Sequence, residues 1–220
     1  MERKWYKAAL KSIVKHAGQI LVINKAHKDK RASRRRRAWG RRNSGGIALK
    51  KWFRNEKRYT MIAGFGINGF EKSSVGIYLR EETSDEGAAG TVDGETFRKW
   101  LKERICPLLG DYRRGDPNSI VIMDNASTHM SHEVGDMIRE RGAYLLCTAP
   151  YSPDLSPIEY AFNVYKSHLK QWSKDFDHED SFLLHKKALS KVSRDIAIKE
   201  FRKCEIPFSQ EVLTSDEMLK

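Results

Sequence analysis

Ser119-Ile120-Val121-Ile122-Met123-Asp124-Asn125 is a short apolar run, rich in β-branched residues, that stops at a carboxylate. A run this short and apolar at every position reads as a strand buried on both faces of a sheet. Asp124 then stands where the strand leaves the core, the place at which open α/β sheets put their ligands. Glu159 follows with 34 residues between the two. It lies in Ser156-Pro157-Ile158-Glu159, which carries two helix-start signals, a proline at the first helical position and a Ser-x-x-Glu capping box. Ile158, Phe162, Tyr165 and Leu169 continue that helix's apolar face. Carboxylates placed on a strand end and a following helix can hold divalent metal against a phosphate. Mg²⁺ suits such a site, because it binds through one or two carboxylates plus substrate phosphate. The earlier strand, Gln19-Ile20-Leu21-Val22-Ile23-Asn24, where a third carboxylate is expected, ends in an amide.

The flanking segments set this pair in a mixed sheet. A basic amphipathic helix is expected over 3–16, then the strand 19–24. Residues 58–67 read as a second strand, with Asn68-Gly69 turning the chain into a partner over 72–79. Asp93 caps a helix expected over 94–105, which Pro107 stops. A helix over 132–141, capped by Ser131 and ended by Gly142, leads to a strand over 143–147. One amphipathic helical stretch is expected from about 181 towards 204. A hairpin followed by strands and helices in alternation predicts an α/β fold with helices covering a mixed sheet.

With 220 residues the chain is long enough for a substantial core. A net charge of +12 favours a polyanionic partner, and no apolar stretch reaches the length of a membrane span. Cys106, Cys147 and Cys204 are few, scattered and odd in number, so they form neither a disulfide framework nor a zinc pattern.

Ile122-Met-Asp124-Asn125-Ala-Ser-Thr-His129 resembles the second catalytic motif of Tc/mariner-type DDE transposases, and Ala149-Pro-Tyr-Ser-Pro-Asp-Leu-Ser-Pro-Ile-Glu159 resembles the third. The resemblance covers roughly residues 18–175. It implies a ribonuclease H-like catalytic domain over 1–175, with 176–220 as a helical extension packed on it. It also implies strand cleavage and strand transfer on DNA, with Mg²⁺ or Mn²⁺ held by Asp124 and Glu159. Asn125 and His129 belong to the motif and are candidates to support the site. Asn24 aligns with the first catalytic Asp of the family and is the degenerate member of an incomplete triad. An amide offers one neutral oxygen where a carboxylate offers two and a charge, and Lys25 adds a cation next door. Impaired chemistry is therefore expected.

The implied partners are transposon-end and target DNA, with no membrane. Family transposases work as dimers, so a homodimer is expected, in the nucleus of a eukaryote and otherwise in the cytoplasm. Arg34, Arg35, Arg36, Arg37, Arg41 and Arg42 follow the first strand as a basic loop suited to DNA phosphates. Two other readings of that run are a nuclear localisation signal and a solvated face. Asp29 could substitute for Asn24 only from within this loop. The family's helix-turn-helix modules are not seen ahead of the domain, which fits a fragment, a truncated copy or a repurposed gene. The rival expectation is accordingly a catalytically inactive, transposase-derived DNA-binding protein.

Overall fold

The computed structural model describes residues 2–28, 58–80, 92–124, 132–172 and 181–207. Among the described residues, six strands form one sheet: β1 (Ile20–Lys28), β2 (Arg58–Gly66), β3 (Gly69–Phe70), β4 (Gly76–Arg80), β5 (Ile120–Met123) and β6 (Tyr144–Cys147). The path runs β3-β2-β1-β5-β6, and β4 also pairs with β2. The β1–β2, β2–β3 and β2–β4 pairs are antiparallel, whereas β1–β5 and β5–β6 are parallel. This is the mixed α/β sheet expected from the order of hairpin and helices.

Period-two alternation sorts the strand residues onto two cores. Ile20, Val22 and Ala26 of β1 and Ile120 and Ile122 of β5 face a core that includes Tyr6, Ile158, Phe162, Leu169 and Phe201. That core is roofed by α1 (Glu2–Ile13), α4 (Pro157–Trp172), α5 (Ser181–Leu189) and α6 (Arg194–Lys203). Leu21, Ile23, Val121 and Met123 point the other way, towards Phe97, Trp100, Val134 and Ile138 on α2 (Gly94–Trp100) and α3 (His132–Glu140). All four residues of β5 are buried, as its unbroken apolar character predicts.

The register between β1 and β5 is pinned before the strands begin. The buried Gln19 amide donates to Ser119 Oγ at 3.3 Å, and its oxygen accepts from the Lys15 backbone N–H at 2.8 Å. Ile20 then pairs with Ile120, Leu21 with Val121 and Val22 with Ile122.

Several local expectations need correction. Gly66 pairs with Gly69, so the hairpin loop is Ile67–Asn68 and the positive φ (+103°) falls on Gly69 alone. Aromatic packing explains the shift. Phe65 lies opposite Phe70 with ring centroids 5.1 Å apart, and Phe70 stacks on Phe162 of α4 at 5.7 Å. The returning strand is broken by a 3₁₀ turn at Lys72–Ser74. There Ser74 Oγ accepts the Gly64 N–H at 2.8 Å, so β4 starts only at Gly76. The helix expected over 94–105 is α-helical to Trp100 and continues as a π-helical turn over Leu101–Ile105. The stretch expected as one helix from 181 is two, because Ser193 caps α6 by accepting the Ile196 N–H at 3.4 Å. The Ser131 cap lies outside the described residues. Among the described residues, no helix is long and apolar enough to cross a membrane.

Candidate functional site

Strand parity puts Asn24 on the face that carries Ile20, Val22 and Ala26, beneath α4. Asp124 follows β5 and shares parity with Ile120 and Ile122. Carried two residues beyond the Val22–Ile122 pair, the parallel register sets Asn24 beside Asp124. Glu159 descends onto them from the first turn of α4, where its backbone N–H donates to the Ser156 carbonyl at 3.1 Å. Its carboxylate is directed across to β1: Asn24 Nδ2 donates to Oε1 at 2.8 Å. Asn24 Oδ1 in turn accepts the Lys25 backbone N–H at 2.7 Å.

The charges act on one another. Burial is the largest influence on the Glu159 carboxyl and raises its pKa above the ordinary value; Asp124 adds to the rise. Lys166, two turns along α4, and the Asn24 amide oppose it without cancelling it. Burial likewise raises the Cys147 thiol, again with a contribution from Asp124. Two carboxylates and one amide therefore converge from β1, β5 and α4.

A frame outside the site holds the loop that delivers Glu159. Arg3 on α1 grips both oxygens of Asp154 and donates to Ser152 Oγ at 3.0 Å. This bidentate pair lowers the Asp154 carboxyl's pKa, chiefly through its hydrogen bonds from Arg3. Ser152 Oγ donates to the Pro150 carbonyl at 3.0 Å, and Pro153–Leu155 form a 3₁₀ turn. Asp154 thus anchors α1 to this loop. At the tip of the same loop, Tyr151 is fully exposed with φ of +53°. Sequence reasoning missed Arg3, Lys166 and Tyr151, since none belongs to a local motif. The spacing of Glu159 and Lys166 along one helix was the available clue to the second of these.

Asn24, Asp124 and Glu159 are brought together. Asn125, His129, Asp29 and the arginines 34, 35, 36, 37, 41 and 42 lie outside the described residues. Among the described residues, no three His, Cys, Asp or Glu side chains form a group suited to a metal ion. The donor set does not fit a pair of divalent ions. The amide turns hydrogens rather than an oxygen towards Glu159, and its one oxygen is engaged by the Lys25 N–H.

Residues 81–182 match the family model described as DDE superfamily endonuclease, a span that includes Asp124 and Glu159 but not Asn24. A comparison with curated proteins gave no match. Among solved structures, the fold is similar to the mariner transposase Mos1. Against the Mos1 paired-end complex with Mn the TM-score is 0.69 at 16% identity, covering 92% of this chain and 58% of that one. Against a pre-cleavage Mos1 transpososome it is 0.67 at 15% identity, covering 92% and 57%. Against the isolated Mos1 catalytic domain it is 0.57 at 14% identity, covering 92% and 88%. The chain thus spans a little over half the length of the Mos1 chains in the two complexes. The fold is the ribonuclease H-like one, a mixed sheet with helices on both faces. Residues 81–182 are thus similar to the DDE superfamily endonucleases, within a fold similar to that of the Mos1 transposase.

Proposed function

We propose that this chain is a transposase-type domain that binds DNA and whose strand-cleavage and strand-transfer chemistry, used in DNA transposition and integration, is impaired by Asn24. The observation that carries this reading is the hydrogen bond from Asn24 to Glu159. The position beside Asp124 that would complete a carboxylate triad holds a neutral amide already committed to two partners. Losing about 3 kcal/mol of transition-state stabilisation would slow a reaction on the order of a hundredfold. DNA as the partner is supported by the net charge of +12 and by the DNA complexes named for the structurally similar mariner transposase. Mg²⁺ or Mn²⁺ as the cofactor of the ancestral reaction is supported by the metals named in those structures. Binding through lysines and arginines would be sequence-tolerant and steeply salt-dependent.

A second reading is favoured by the same hydrogen bond: a domain retained for DNA binding alone. Supercoiled DNA nicking with Mn²⁺ separates the two, run beside salt-titrated DNA binding. Slow metal-dependent nicking that Asn24→Asp accelerates supports the impaired enzyme. Binding without nicking in either protein, both folded, supports the non-catalytic binder. Absence of DNA binding at low salt would remove both readings.

A further inference from the structure

We infer that Asn24 stands in for a divalent cation, so that the site of this chain is organised without metal. The inference rests on the DDE-type reading of the site given above. Asn24 is buried, only 6% exposed, and its two amide ends meet partners of opposite polarity. The oxygen takes the Lys25 N–H and the nitrogen gives to Glu159. Turning the amide over would set oxygen against carboxylate oxygen and N–H against N–H, so its orientation is settled by the network itself. Glu159 therefore receives from β1 what a cation would supply, a concentration of positive charge at its oxygen. A cation arriving there would meet amide hydrogens from β1 instead of an acceptor.

Asn24→Asp should reverse the arrangement. It replaces the donor with a third carboxylate facing Glu159 and makes order in the site depend on a cation. The test compares the parent chain and Asn24→Asp by thermal melting in EDTA and in millimolar Mn²⁺, with Mn²⁺ stoichiometry followed by electron paramagnetic resonance. The parent is expected to melt alike in both buffers and to take up no more than one Mn²⁺. Asn24→Asp is expected to melt several degrees lower in EDTA and to recover in Mn²⁺. Two tightly held Mn²⁺ in the parent, or a rise in its melting temperature as large as the variant's, would overturn the inference. Should Asn24→Asp not fold, the Mn²⁺ stoichiometry of the parent still decides. DNA binding in EDTA is measured alongside: its absence counts against the proposed function and leaves this inference standing. Tight uptake of two Mn²⁺ does the reverse.

Discussion

Asn24 donates its side-chain amide to Glu159 at 2.8 Å, joining a central strand to the first turn of a helix 135 residues away. The bond supports a carboxylate that burial and Asp124 push towards the protonated form. In the folded chain Glu159 therefore keeps its proton to a higher pH than in the unfolded chain. Its contribution to stability is fully present below the ordinary value of 4.5 and is lost as pH rises through the raised one. Glu159→Gln stays neutral and keeps an oxygen for the Asn24 amide. In metal-free buffer it should melt with the parent in acid and above the parent at neutral pH. Melting curves from pH 3.5 to 7.5, with no divergence between the two proteins, would disprove this.

Gln19 is buried and bridges the starts of β1 and β5 through Ser119. Gln19→Ala would leave the Lys15 N–H without its acceptor and Ser119 Oγ without that donor. A loss of about 1–3 kcal/mol is expected. Urea unfolding measures it, and an unchanged midpoint would show that the pin is not needed.

Gly69 combines φ of +103° with a packed neighbour, since a Cβ there would lie 2.9 Å from the Val192 backbone carbonyl oxygen. Gly69→Ala should therefore destabilise by at least ~2 kcal/mol, from left-handed strain plus a clash with backbone that cannot rotate away. The same unfolding assay checks it, and Asn68→Ala, one residue earlier, serves as the mild control.

Tyr151 holds a left-handed backbone conformation with a fully exposed ring, so that burial does not repay the strain. Tyr151→Asn should stabilise the fold by roughly 0.5–1 kcal/mol, because asparagine tolerates that conformation at lower cost. A gain in melting temperature accompanied by weaker DNA binding would indicate that the exposed ring is kept for its partner. A loss of stability would contradict the strain argument.

Much of the architecture was legible because its signals are local. The β-branched run 120–123 and the proline-led start of α4 each declare their element within a few residues, and those two elements carry Asp124 and Glu159. What escaped depends on partners distant in sequence. Ser-x-x-Glu suggests a glutamate turned back on its own helix start, yet Glu159 reaches Asn24, a neighbour only once the sheet has formed. The hairpin was misplaced by one residue because Phe70 packs on Phe162, a contact no local turn rule contains. Arg3 gripping Asp154 lies equally beyond reach, as it joins residues 151 positions apart.

The parallel pairing of β1 with β5 joins residues one hundred positions apart, from Ile20 with Ile120 to Val22 with Ile122. Contacts between such distant parts of a chain carry a large loop-closure cost and form slowly. Asn24 and Asp124 become neighbours only through that pairing. A nascent chain that has made its β1–β2 hairpin but not yet β5 has no assembled site, so the acidic centre is acquired late, as the final long-range closure of the sheet takes place.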